Sequence, residues 1–151
     1  MIRKATVEDV KEMQKIINGY ADNNKMLSRS LNDLYEHIRD FYVSVNETTG
    51  RIEGCCALHV VWETLGEIKA LAVEKSSTGK GLGKILVQTC MDDANSLGVN
   101  RLFALTYIPG FFKKFGFVEI SRDDLPHKVW RECINCPKFP DCDETAVAKN
   151  I

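Results

Sequence analysis

The apolar positions of this chain hold one spacing for a stretch and then change to another, and each change marks the end of an element. Val10, Met13, Ile16 or Ile17 and Tyr20 fall three or four apart, which predicts a helix from Val7 to about Ala21 with most of those residues on its core face. Thr6, with Asp9 three residues on, supplies an N-cap and an acidic first turn, and Ile2 to Ala5 reads as a strand before it. Asn23, Asn24 and Lys25 break the helical period. A second, shorter helix is predicted from Ser30 and Asp33, carrying Leu31, Leu34, Tyr35 and Ile38. Phe41 to Val45 and Arg51 to Trp62 then read as the two strands of a hairpin about the turn Glu47 to Gly50. The run Cys55 to Trp62 is apolar on both faces, as a central strand requires, and Gly66 to Val73 is a further buried strand. Ile85, Leu86, Val87, Met91 and Leu97 return to helical spacing and stop at Gly98, where a left-handed residue is expected. Leu102 to Thr106 is a strand, Pro109 to Phe115 a short helix and Gly116 to Ile120 a last strand. The order β-α-α-β-β-β-α-β-α-β is that of a mixed α/β layer fold.

Composition narrows the class. With 151 residues, 44% hydrophobic and 27% charged, the chain is the size of one domain with a substantial core. A net charge of −1 with dispersed positive residues argues against a nucleic-acid or anionic-membrane partner, and Lys113-Lys114 is too short a run to alter that. Met1 leads directly into a strand, with no apolar leader and no stretch long enough to span a bilayer, which predicts a cytoplasmic protein. In that compartment the six cysteines are thiols or metal ligands rather than disulfides. Cys55, Cys56 and Cys90 sit in apolar contexts and read as core; His59, isolated in an apolar strand, reads as a hydrogen-bonded core residue rather than a base.

Chemistry concentrates between Val73 and Lys84. Glycines at 79, 81 and 83 remove side chains where a strand turns into a helix, so N–H groups can converge at a helix N-terminus that already carries partial positive charge. Lys80 and Lys84 add full charges, which suit a phosphate. The ATPase P-loop is excluded because Gly81 follows Lys80 and Ile85 follows Lys84. The dinucleotide fingerprint is excluded because Lys84 and Leu86 stand where its third glycine belongs.

The element order and the loop Thr78-Gly79-Lys80-Gly81-Leu82-Gly83 resemble the GNAT acetyltransferases, whose Gln/Arg-x-x-Gly-x-Gly loop binds the pyrophosphate of acetyl-coenzyme A. Phe111-Phe112-Lys113-Lys114-Phe115-Gly116-Phe117 resembles the family's Phe-Tyr-x-Lys-x-Gly-Phe. Two residues depart from the pattern: Thr78 replaces Gln or Arg, and Phe112 replaces the tyrosine that protonates the leaving thiolate. The stretches Met26 to Ser30, Gly54 to Leu58, Gly66 to Val73 and Leu102 to Thr106 are similar to the acetyltransferase domain of N-acetylglutamate synthases, which also carry Phe at that position.

The resemblance implies a GNAT fold, a mixed and largely antiparallel sheet flanked by helices, over residues 1–125. It also implies a single-domain synthase using acetyl-CoA and glutamate in the first committed step of arginine synthesis. Residues Leu71, Ala72, Val73, Thr78 to Lys84 and Phe112 would then meet the cofactor, the first three through backbone N–H groups. Glu67 is the candidate base for the substrate ammonium, directly or through a water, and Tyr107 a substitute acid. Arg29, matching an arginine of the family's Arg-Ser segment, and Lys69 would hold the substrate carboxylates. Two other functions fit the same fold: acetylation of another amino acid, an amine or a protein N-terminus, and non-catalytic sensing of acetyl-CoA. A homodimer is compatible with each.

The remaining residues, 126–151, form a Cys-rich tail. His127, Cys133, Cys136 and Cys142 give Cys-x2-Cys-x5-Cys with an upstream His, a pattern that fits a zinc knuckle, an iron–sulfur site or plain thiols.

Overall fold

The computed structural model describes residues 1–21, 29–125 and 144–151. Within them the chain runs β1 (Ile2–Lys4), α1 (Val10–Ala21), α2 (Leu31–Glu36), β2 (Phe41–Val45), β3 (Ile52–Trp62), β4 (Leu65–Val73), α3 (Leu82–Ser96), β5 (Arg101–Thr106), α4 (Pro109–Lys113), β6 (Val118–Ile120) and β7 (Thr145–Asn150). The strands form one sheet in the order β1-β2-β3-β4-β5-β7-β6. Every neighbouring pair is antiparallel except β4 and β5.

Local signals explain most of the boundaries. The Asp9 carboxylate accepts from the Thr6 N–H at 2.7 Å and from both terminal nitrogens of Arg3 at 2.7 and 3.0 Å, fixing the single 3₁₀ turn that leads into α1. The Arg3 guanidinium holds that carboxyl below the usual carboxylate range. Ser30 caps α2 by accepting from the Asp33 N–H at 3.1 Å. Helix α3 closes on Gly98, at φ +86°, with Val99 N–H donating to Ala94 and Gly98 N–H to Asn95. Those two bonds are the Schellman pair, and buried Val99 and Ala94 supply its apolar contact.

The sheet carries helices on both faces. Leu86, Val87 and Cys90 of α3 and Phe112 of α4 bury against Leu58, Ile68, Leu102 and Val147. On the other face Val10, Met13 and Ile17 of α1 and Leu34 of α2 bury against Val43, Cys55, Ala57 and Ala72. Each fully buried aliphatic of this kind contributes about 1.5–3 kcal/mol relative to exposure. Cys55, Cys56 and Cys90 are all core, as their apolar contexts predict.

One strand was not predicted. Residues 145–150, grouped with the tail from sequence, pair with β5 along their whole length and with β6 on the other side. Ala146 and Ala148 face Phe103, while Val147 joins the α3-side core. Two alanines and a lysine give weak strand propensity, so it is pairing with two neighbours that makes the segment extended.

Candidate active site

The parallel pairing of β4 with β5 covers only Leu65↔Arg101, Gly66↔Leu102 and Glu67↔Phe103. Beyond Glu67 the strands part: β4 continues against β3 to Val73, and β5 continues against β7 to Thr106. A wedge opens in the sheet at that point. Within β4, Ala57 faces Lys69 and Cys55 faces Ala72, so three steps on β4 match two on β3. The extra residue is a bulge at Ala70, whose φ of +54° is left-handed. A non-glycine residue in that region costs about 1–3 kcal/mol, and here the ladder on either side enforces it. The bulge also reverses the alternation: Ala70 and Ala72 face the α1 side, while Leu71 and Val73 face α3.

Glu67 sits at the apex of the wedge. Directly opposed residues share a face, so His59, Glu67 and Phe103 form one row across β3, β4 and β5 on the α1 and α2 side. Lys69, opposite Ala57, shares that face. Glu67 is only 6% exposed, so it is a buried acid rather than a solvated one.

Arg29 approaches from the same side. Its N–H donates to Asn18 Oδ1 and its carbonyl accepts from Gln14 Nε2, both at 3.1 Å, so α1 clamps its backbone. Its guanidinium lies 3.1 Å from Asp33 of α2, with the side chain 17% exposed. Burial pushes the Cys55 thiol up to about 12, and the Arg29 charge opposes that shift. Tertiary structure thus brings Arg29, Glu67 and Lys69 to one face. Tyr107 follows the last residue of β5 at the open end of the wedge, half-buried; beside it, buried Thr106 accepts from the Ile108 N–H at 2.9 Å.

At the end of β4 the chain passes through a 3₁₀ turn, Lys75 to Ser77, into the glycine loop. Gly79 and Gly81 have φ of +84° and +76°, and a Cβ on either would meet nothing within 4 Å. Conformation, not space, therefore requires glycine there. The first intrahelical bond of α3 runs from Ile85 N–H to Gly81, so the N–H groups of Leu82, Gly83 and Lys84 point out of the helix end. The Thr78 hydroxyl donates to the Lys75 carbonyl at 2.9 Å, a bond that tightens the loop where the family's longer side chain usually stands. Phe112, expected at the cofactor, is 3% exposed and packs edge-on against Phe111 and Phe117 at 5.4 Å. Its neighbour Phe111 is the aromatic that reaches Gly83, 3.6 Å from where a Cβ would stand.

His127, Cys133, Cys136 and Cys142 lie outside the described residues. Among the described residues, no three His, Cys, Asp or Glu side chains gather as a metal site. The sequence reading missed Asp40, which accepts from His59 Nδ1 at 2.7 Å, and the Ala70 bulge. His59 is hydrogen-bonded as expected, but its side chain is 30% exposed rather than core.

A model of the acetyltransferase (GNAT) family matches residues 7–117. The chain belongs to that family. It is an acyltransferase of the GNAT fold, with the seven-strand sheet and the parted β4 and β5 described above. Over 150 residues it is 41% identical to an uncharacterised N-acetyltransferase of Chlorobaculum tepidum, covering 99% of this chain and 96% of that one. It is 35% identical over 133 residues to an amino-acid acetyltransferase of Mycobacterium tuberculosis, covering 87% and 76%. Among solved structures, N-acetylglutamate synthase from Neisseria gonorrhoeae, complexed with coenzyme A and N-acetyl-glutamate, superposes with a TM-score of 0.90 at 27% identity. The match covers 99% of this GNAT chain and 34% of the synthase, so the chain spans about a third of that protein's length. No helix among the described residues is long and apolar enough to cross a membrane.

Proposed function

We propose that this GNAT enzyme transfers the acetyl group of acetyl-CoA to the α-amine of glutamate, by direct attack within a ternary complex. The observation that carries the reading is that Arg29, Lys69 and buried Glu67 lie on the α1 and α2 side of the sheet, with Glu67 at the apex of the wedge. Two cations suit an acceptor with two carboxylates, and a buried carboxylate on the same face suits an acceptor that must lose an ammonium proton. The likeness to an amino-acid acetyltransferase and to a synthase holding N-acetyl-glutamate supports the same acceptor.

In this reading the pyrophosphate of acetyl-CoA rests on the N–H groups of Leu82, Gly83 and Lys84, with Lys80 and Lys84 adding charge. The pantetheine arm enters the wedge beside Leu71, Ala72 and Val73, whose backbone also polarises the thioester carbonyl. Glu67, directly or through a water, takes one proton from the α-ammonium. The neutral amine forms the C–N bond, the C–S bond breaks, and Tyr107 donates a proton to the departing sulfur and recovers one from the nitrogen as the amide forms. Such an enzyme serves the opening step of arginine synthesis in the cytoplasm.

Thiol release from acetyl-CoA across a panel of amino acids, polyamines and peptides tests the acceptor, and glutamate is expected to lead. Arg29→Ala is expected to raise the KM for glutamate about tenfold to a hundredfold, the loss of one charge-assisted hydrogen bond of about 1.5–3 kcal/mol, with that for acetyl-CoA changed less than twofold. Equal increases for both substrates would remove Arg29 from the acceptor site.

A further inference from the structure

We propose that His59, held by Asp40, carries to solvent the proton that Glu67 takes from the substrate amine. This rests on Glu67 being the base. A carboxylate only 6% exposed at the apex of the wedge must be unloaded in every turnover, and its burial leaves it little direct contact with bulk water. His59 is the residue directly opposite Glu67 across the β3–β4 ladder, on the same face. Facing positions of an antiparallel pair have Cβ atoms about 4.5–5.5 Å apart, within reach of one water between the two side chains. The His59 side chain is 30% exposed, so it connects the buried row to the surface.

The groups around the ring fit a proton carrier. Asp40, at the end of the turn before β2, accepts from Nδ1 at 2.7 Å; this fixes the tautomer and steadies the imidazolium that forms transiently. Proton exchange then runs through Nε2. Just past α2, His37 meets the ring edge-on, centroids 5.7 Å apart at 77°, and its own Nδ1 lies 2.9 Å from the Asp33 carbonyl and 3.2 Å from the Asp33 carboxylate. Asp33 in turn pairs with Arg29, and Lys69 follows Glu67 on the same face of β4. Carboxylates on both sides thus offset the transient charge on His59, while Lys69 and Arg29 disfavour leaving the proton on the acceptor amine.

The step balances. The substrate –NH3⁺ and Glu67 –COO⁻ become –NH2 and –COOH; Glu67 –COOH and neutral His59 become –COO⁻ and imidazolium; the imidazolium releases its proton to bulk water or buffer. His59 acts through Glu67 and does not touch the acetyl group, so acetyl-CoA binding is not its concern.

The test compares wild type, His59→Gln and His59→Ala by kcat and KM from pH 6 to 9, using glutamate or whichever amine the wild type accepts best. His59→Gln keeps a donor for Asp40 but cannot carry a proton, and its melting temperature checks the fold. Both variants are expected to lose about tenfold to a hundredfold in kcat, with the KM for acetyl-CoA within twofold of wild type. Imidazole added to His59→Ala is expected to restore rate in proportion to its concentration. A kcat for His59→Gln within twofold of wild type across the range overturns the proposal. So does a loss that imidazole leaves untouched. A wild type that prefers another amine refutes the glutamate assignment alone, since the relay is judged on the ratio of variant to wild type; a wild type that acetylates no amine refutes both.

Discussion

The glycine loop offers two substitutions with opposite consequences for the fold and the same consequence for acetyl-CoA. Gly81 sits at φ +76° in open space, so an added Cβ clashes with nothing and the penalty of Gly81→Ala is purely conformational. A left-handed alanine costs about 1–2 kcal/mol. For a domain of this size about 2–4 °C of Tm is lost per kcal/mol, so a fall of about 2–8 °C is expected if the loop keeps its shape. If it relaxes instead, the N–H groups of Leu82, Gly83 and Lys84 turn away from their common target, and the same energy appears as an acetyl-CoA KM raised about tenfold. Gly81→Asn, which tolerates the left-handed region, is expected to retain most of both. Gly83 lies inside α3, where the nearest atom to an added Cβ is Phe111 Cζ at 3.6 Å, an ordinary contact. Gly83→Ala is therefore expected to stabilise the free protein by about 0.5 kcal/mol through helix propensity, yet to weaken acetyl-CoA, because the methyl occupies the approach to the helix end. Thermal melting of the free protein and initial rates against acetyl-CoA concentration separate the two effects. An unchanged KM in Gly83→Ala, or a Gly81→Asn as impaired as Gly81→Ala, would refute the assignment of this loop to the pyrophosphate.

Glu67→Gln is expected to lower kcat by about 10²–10⁴-fold with little change in either KM, as initial rates check. Ser44 is 1% exposed and its Oγ finds no hydrogen-bond partner among the described residues, so Ser44→Ala is expected to be neutral or to stabilise by about 1 kcal/mol in chemical denaturation. The hydrogen bond from Arg3 lowers the Asp9 carboxyl, so its contribution is present above the unfolded value near 4 and is lost as pH falls through the folded value. Asp9→Asn is expected to cost about 1–2 kcal/mol at pH 7, and the gap to wild type should close as pH falls through the lowered value of the folded carboxyl.

Periodicity alone located the helices and all but one strand of the described residues, because each of those elements carries its own apolar pattern and end signals. Ser30 with Asp33 and Gly98 are examples in which a cap residue named its helix end. The glycine loop was legible for the same reason: positive φ at residues 79 and 81 demands glycine, and glycine is visible in sequence. What the sequence did not determine depends on pairing at a distance. Strand β7 has little propensity of its own and exists because β5 and β6 both accept it. The Ala70 bulge has no sequence signal, since alanine is an ordinary strand or helix residue and only the offset between Lys69 and Ala72 forces it left-handed. The parting of β4 from β5 arises from their different partners, β3 on one side and β7 on the other. That divergence turns Glu67 from one acid in an apolar strand into the apex of a wedge. The register of the β3–β4 hairpin sets His59 opposite Glu67 in the same row. Sequence supplied the residue types; the sheet's register decided which of them meet.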